Sequence, residues 1–95
     1  MYKVTIETDE EKILREKKHN PDEFKDMIRR MTEAASFSYS GNNQYVTENM
    51  ESVNALSSVL LKEKWICDNL KQWKITDMTT GNTQDGLAFM KKKGK

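Results

Sequence analysis

The sequence predicts a small α+β domain, a two-layer sandwich in which an antiparallel sheet carries two helices on one face. Three observations predict it: alternating apolar residues over 2–7, an amphipathic pattern over 21–35 and a turn-rich segment over 37–47. Apolar residues with a period of two are typical of a half-buried strand, whereas a period near 3.6 is typical of a helix. Both kinds of element should therefore contribute to one core.

The composition fits a single domain of this class. The chain has 95 residues, of which 36% are hydrophobic and 33% are charged, and its formal net charge is +1. This length is enough for one modest core. We expect residues 1–90 to form one compact domain and the lysine-rich residues 91–95 to form a flexible tail.

The first element is a strand over residues 2–7, where Tyr2, Val4 and Ile6 alternate with polar residues. Residues 8–19 are ambiguous, because they contain only two apolar residues. One interpretation is a short helix that begins with a capping box of Thr8 and Glu11. The other is a hairpin that turns at residues 9–10.

A helix over residues 21–35 follows. Asn20 is a favourable N-cap, Pro21 suits the first helical position, and Glu23 lies three residues after the cap. Apolar residues then recur at helical spacing and form one stripe. The stripe consists of Phe24, Met27, Ile28, Met31, Ala34 and Ala35.

The second half of the chain predicts a hairpin, a helix and further strands. Residues 41–43, Gly-Asn-Asn, are typical of a tight turn between two strands. A second helix begins near Asn49, and the pattern leaves open whether it ends near Lys64 or continues through Leu70. A strand begins near Trp73, a turn follows at residues 80–82, and residues 87–90 are a candidate edge strand.

The resulting order is strand, helix, strand, strand, helix, strand. This βαββαβ-like order is compatible with a ferredoxin-like sandwich. The order alone does not determine which strands pair.

The sequence offers little for catalysis or metal binding. His19 and Cys67 are the only histidine and cysteine, so neither a disulfide nor a conventional zinc site can form within the chain. A Cys67–His19 nucleophile pair is conceivable, but the interpretation of Cys67 as a small buried hydrophobe is favoured. The four glycines are isolated and form no phosphate-binding loop. We therefore expect a protein that is not an enzyme and uses no cofactor or metal.

The chain has no run of apolar residues long enough to span a membrane, and its N-terminus lacks the pattern of a secretory signal. With a single cysteine, a reducing cytoplasmic setting is the simplest expectation. No membrane partner is expected.

Binding to another protein is the leading functional hypothesis. A folded domain without recognisable chemistry or a strong charge acts by contact, as an inhibitor or adaptor does. Tyr39 and Tyr45 on the predicted hairpin, with Phe37, are the candidate contact residues, because tyrosine is enriched at interfaces. The alternative is that these residues pack inward as a cross-strand pair. The sheet edge at residues 87–90 is a further candidate contact, either with a strand of another protein or with a second copy of the chain in a homodimer. The small size and high charge also suit an accessory protein of a phage or bacterial mobile element.

The alternative hypothesis is a binder of single-stranded DNA or RNA. Lysines alternate with tryptophans over residues 62–74, as in a stacking platform with phosphate contacts. The competing interpretation places both tryptophans in the core and the lysines on a solvated face. The candidate residues are Lys62, Lys64, Trp65, Lys71, Trp73 and Lys74.

Overall fold

The computed structural model describes residues 1–88. Within these residues, the strands form one antiparallel sheet in the order β2-β3-β1-β4-β5, with β1 at its centre. The strands are β1 (Tyr2–Thr8), β2 (Ser38–Gly41), β3 (Gln44–Thr47), β4 (Leu70–Asp77) and β5 (Thr83–Asp85).

Helices make the two long connections between the strands. The first pair joins β1 to β2, and the second pair joins β3 to β4. The helices are α1 (Glu10–Glu16), α2 (Pro21–Ala34), α3 (Met50–Lys62) and α4 (Lys64–Cys67).

The connectivity consists of two split β-α-β units. The strands β1 and β2 are parallel and enclose β3, while β3 and β4 are parallel and enclose β1. This arrangement confirms the predicted α+β sandwich and its βαββαβ-like order. The strand β5 extends the sheet beyond β4.

The register assigns each side chain of β1 to one of two faces. Val4 lies opposite Tyr45 and Ile75, and Ile6 lies opposite Trp73. These residues face the helices, because they belong to the same core cluster as helical residues. The alternating residues Lys3, Thr5 and Glu7 lie on the other face of the sheet and are partly exposed.

The helix predicted from residue 21 is confirmed in detail. The side-chain oxygen of Asn20 accepts hydrogen bonds from the backbone N–H groups of Asp22 (2.9 Å) and Glu23 (3.3 Å). Phe24, Ile28 and Thr32 form its buried side. The helix ends at Ala34, one residue before the predicted end.

The ambiguous segment after β1 is helical, so the hairpin interpretation of residues 8–19 is wrong. The cap is Asp9 rather than the predicted Thr8, and its carboxylate accepts from the N–H of Lys12 (3.2 Å). Ile13 is the buried residue of α1. One buried apolar residue and one capping hydrogen bond thus stabilise α1, although the apolar pattern alone does not decide between a helix and a hairpin.

The hairpin predicted over 37–47 is confirmed, with its strands at Ser38–Gly41 and Gln44–Thr47 and with Tyr39 opposite Tyr45. Its turn residues Asn42 and Asn43 both have positive φ (53° and 63°), which is the geometry of a type I′ turn.

Two strand boundaries near the end of the chain differ from the prediction. The strand β4 begins at Leu70, three residues before Trp73, because Leu70 pairs with Thr8 of β1 after a shift in register. The edge strand is Thr83–Asp85, whereas residues 86–88 form a helical turn, so a strand beginning at 87 is wrong. The rest of the predicted edge, residues 89–90, and the predicted tail lie outside the described residues.

The core contains side chains from every helix and from β1, β3 and β4. The buried hydrophobic residues are Val4, Ile6, Ile13, Phe24, Ile28, Phe37, Tyr45, Val53, Leu56, Leu60, Ile66, Cys67, Leu70 and Trp73.

None of the helices in residues 1–88 is both long and apolar enough to cross a membrane.

Candidate functional site

The three residues predicted to bind a protein do not form one exposed surface. Phe37 and Tyr45 are buried in the core, and only Tyr39, with 46% of its surface exposed, reaches solvent. The Tyr39 ring packs against Tyr45 with ring centroids 5.1 Å apart, and the guanidinium of Arg29 lies 5.0 Å from the Tyr39 ring centre. Burial raises the pKa of Tyr45, in keeping with its place in the core.

The two tryptophans of the alternative prediction have opposite environments. Trp73 is 2% exposed, and its ring packs directly against Gly86, so no base can stack on it in this fold. Trp65 is 42% exposed on α4.

The four lysines of that prediction are also separated. Lys62 and Lys64 flank the junction of α3 and α4, whereas Lys71 and Lys74 lie on β4. Because Lys74 follows the core residue Trp73 in a strand, it lies on the sheet face opposite the helices. The residues 62–74 therefore do not make one continuous platform.

The structure instead brings Trp65 together with residues from α1, α2 and the turn between them. They line an open groove of about 620 Å³, which we call the Trp65 groove. Its lining includes the apolar Leu14, Phe24, Met27 and Trp65 and the basic Lys17 and Lys18.

An aromatic cluster forms one wall of the Trp65 groove. The His19 ring stacks on the Trp65 ring, with centroids 5.2 Å apart and planes 28° apart. Phe24 meets Trp65 edge to face, with centroids 6.1 Å apart. The indole N–H of Trp65 donates to the carboxylate of Glu63 (3.0 Å). These contacts orient an exposed tryptophan that would otherwise sample several rotamers.

Hydrogen bonds hold α4 against α1 and so fix the two sides of the Trp65 groove. The ammonium of Lys12 donates to the carbonyl of Asp68, and the N–H of Asp9 donates to the carbonyl of Asn69 (2.8 Å). The buried Asn69 amide donates to the carbonyl of Trp65 (2.8 Å). The position of Trp65 therefore depends on the helical form of residues 10–16.

Two cationic side chains of α2 form ion pairs, whereas in the described part of the chain the lysines beside Trp65 and in the groove lining do not. Lys25 pairs with Glu10, which raises the pKa of Lys25, and Arg30 pairs with Asp26. Within residues 1–88, Lys17, Lys18 and Lys64 have no such carboxylate partner. The sequence-based sites include neither Leu14 nor the pair Lys17–Lys18. The clue in the sequence is the adjacent pair Ile13 and Leu14, because neighbouring helix residues point about 100° apart and a short surface helix that buries one of them exposes the other.

The conceivable Cys67–His19 pair has separate partners in the structure. The thiol of the buried Cys67 donates to the carbonyl of Leu60 (3.1 Å), and burial raises its pKa to about 11. His19 is exposed and stacks on Trp65. No group of three or more potential metal ligands comes together in the described residues.

Comparisons with known proteins add no functional assignment. No protein-family model, no curated protein and no solved structure matches the chain.

Proposed function

We propose that this chain is a non-catalytic binding module, an inhibitor or adaptor, that acts by binding another protein through the Trp65 groove. The observation that carries the proposal is an exposed pair of large apolar side chains in one groove, Leu14 at 60% and Trp65 at 42% exposure. An origin in a phage or mobile element, and a cytoplasmic location, remain part of this proposal.

The Trp65 groove has the features of a protein contact. Tryptophan is enriched among the residues that dominate binding energy, above all where a rim shields it from water. Here Trp65 is already oriented by His19, Phe24 and Glu63, so little conformational freedom is lost on binding. The adjacent Met27 is partly buried and can adapt to the shape of a partner.

Tyr39 supports a second, smaller surface for a protein. It lies on the edge strand β2 and is partly exposed, but Arg29 and Tyr45 already cover part of its ring. Its two predicted companions are buried. Tyr39 therefore serves best as the control position against which the Trp65 groove is tested.

The test is an affinity capture from lysate of the source cell, with each sample divided into nuclease-treated and untreated halves. The baits are the wild type, Leu14→Asp, Trp65→Ala and the control Tyr39→Ala. We expect a stoichiometric protein that survives nuclease, is lost with both groove variants and is kept by the control. A protein captured equally by all four baits would contradict the proposed site. Circular dichroism of each bait verifies that it is folded.

Single-stranded nucleic acid is the second candidate ligand, because the exposed Trp65 shares the groove with Lys17 and Lys18 and follows Lys64 directly in the chain. Two observations make it the weaker candidate. His19 already covers one side of the indole, and the net charge of the chain is only +1. Fluorescence anisotropy with labelled oligo(dT) and oligo(U) tests it. Binding that requires Trp65 and weakens steeply with salt would favour this candidate.

A further inference from the structure

We infer that the Trp65 groove recognises an acidic peptide segment that carries one large apolar anchor residue. This inference rests on the proposed function and adds the chemistry of the partner. The anchor contacts Leu14 and Trp65, and the acidic residues that flank it pair with Lys17 and Lys18.

Charge complementarity determines the acidic character of the partner. Lys17 and Lys18 are both exposed, and neither has a carboxylate within ion-pair distance among residues 1–88. Glu63 accepts the indole N–H of Trp65 and keeps its negative charge, but it is not among the residues that line the groove. Glu23 is the one acidic side chain that lines the groove. The lining therefore carries two lysines against one glutamate, a small positive excess on a nearly neutral molecule.

The backbone keeps the two lysines at this position. Lys17 is the C-cap of α1, in the left-handed conformation (φ 55°), and its N–H donates to the carbonyl of Ile13 (3.2 Å). Asn20 then caps α2 within the same connection. A short connection fixed at both ends presents Lys17 and Lys18 beside the apolar part of the groove.

The apolar part favours a peptide over an oligonucleotide. Leu14 and Met27 are not aromatic and offer no surface for base stacking, and Phe24 is buried. Trp65 alone presents an exposed indole, and His19 stacks on it. A partner with a single aliphatic or aromatic side chain between acidic residues matches this surface, whereas successive bases would need successive aromatic rings.

The test is selection from a random twelve-residue peptide library displayed on phage, with the full-length protein as bait. We expect the selected peptides to combine Asp or Glu with one large apolar residue. Trp65 fluorescence of the free protein should shift to the blue when a selected synthetic peptide is added, because the indole loses contact with water.

Two double variants with the same change in charge provide the matched comparison. Lys17→Glu/Lys18→Glu reverses the charge of both groove lysines, and Lys71→Glu/Lys74→Glu makes the same change on β4. We expect the first variant to lose about tenfold or more in affinity, from the loss of two ion pairs, and the second to change affinity little. A selection repeated on the first variant should yield basic peptides.

The outcomes separate this inference from the proposed function. If the selected peptides required Trp65 but showed no preference for acidic residues, the inference of an acidic partner would be wrong. The proposal that the groove binds a protein would still stand. A library without any Trp65-dependent peptide would overturn the peptide inference, while the affinity capture decides protein binding independently. If oligo(dT) displaced a selected peptide and bound more tightly than the peptide does, nucleic acid would become the inferred ligand of the groove in place of a peptide.

Discussion

Gly86 packs against the face of the buried Trp73 indole. A Cβ atom added at Gly86 would lie 2.3–2.7 Å from three ring carbons of Trp73, far inside van der Waals contact. The ring is enclosed by the core and cannot move aside freely. We therefore expect Gly86→Ala to destabilise the fold by about 1–3 kcal/mol, as overpacking does. Urea denaturation monitored by circular dichroism measures this change.

A smaller ring at position 73 tests whether the clash is the cause. In a Trp73→Phe background, the penalty of Gly86→Ala should fall, because phenylalanine lacks the outer atoms of the indole. An unchanged penalty in that background would mean that Gly86 is required for its backbone rather than for its contact with the ring.

Ionisation of the Cys67 thiol makes the free energy of unfolding depend on pH in the alkaline range. Its pKa rises to about 11 from an ordinary 9.0, because burial disfavours the thiolate. The folded state therefore holds the proton more tightly than the unfolded state. The resulting stabilisation is present below pH 9 and is lost as the pH rises from 9 to 11, by about 2–3 kcal/mol.

The comparison of wild type with Cys67→Ala isolates this effect from other groups that titrate in the same range. Urea denaturation at pH 8 and pH 11 should show a larger loss of unfolding free energy for the wild type than for the variant. Equal losses in both proteins would show that the thiol ionises in the folded state as easily as in the unfolded chain.

At the scale of elements, two asparagines occupy the same position before a helix but make different contacts. Asn20 accepts two backbone hydrogen bonds at the start of α2, whereas the Asn49 side chain makes no capping hydrogen bond to α3. We expect Asn20→Ala to reduce the free energy of unfolding by about 1 kcal/mol, and Asn49→Ala to reduce it by clearly less. Urea denaturation of the two variants side by side measures the difference, and equal losses would contradict it.

The elements with a strong local pattern are the ones that the sequence predicts correctly. Phe24 and Ile28 recur at helical spacing after a clear cap, and Val4 and Ile6 alternate in β1. In these segments local preference and core burial agree. In α1 the local pattern is weak, since Ile13 is its one buried residue, and tertiary hydrogen bonds such as Lys12 to the Asp68 carbonyl complete the helix.

Local sequence patterns could not predict the Trp65 groove. It joins residues 14–27 to Trp65, which are far apart in sequence and meet because Asp9 and Asn69 are hydrogen-bonded. Likewise, Trp65 and Trp73 both have lysine neighbours in sequence. Only the strand position of Trp73, opposite Ile6, shows that it faces the core while Trp65 lies on a helix surface.

At the scale of the whole molecule, the two layers have different surfaces. The sheet face opposite the helices carries polar and charged residues such as Thr5, Lys74 and Asp85 in one row. The helical layer carries the exposed Leu14 and Trp65. Burial of apolar area favours association far more than an isolated surface charge does. A partner that binds through apolar contact is therefore expected at the helical layer.

One core connects the Trp65 groove to the sheet, and this connection predicts a single unfolding transition. Ile13 of α1 and Ile66 of α4 belong to the same cluster as Val4 and Trp73. A small domain with one contiguous core unfolds cooperatively. We therefore expect urea denaturation to give the same midpoint by far-UV circular dichroism and by tryptophan fluorescence.

A Trp65→Phe variant separates the two fluorescence contributions, because only the buried Trp73 then reports. If α1 and α4 unfolded before the sheet, the wild-type fluorescence would change at lower urea than the circular dichroism, and Trp65→Phe would remove that early change. Such a result would divide residues 1–90 into two cooperative units and would make the Trp65 groove the less stable one. Coincident transitions in both proteins would mean that the groove is as stable as the core beneath it, and a partner would then meet a preformed surface.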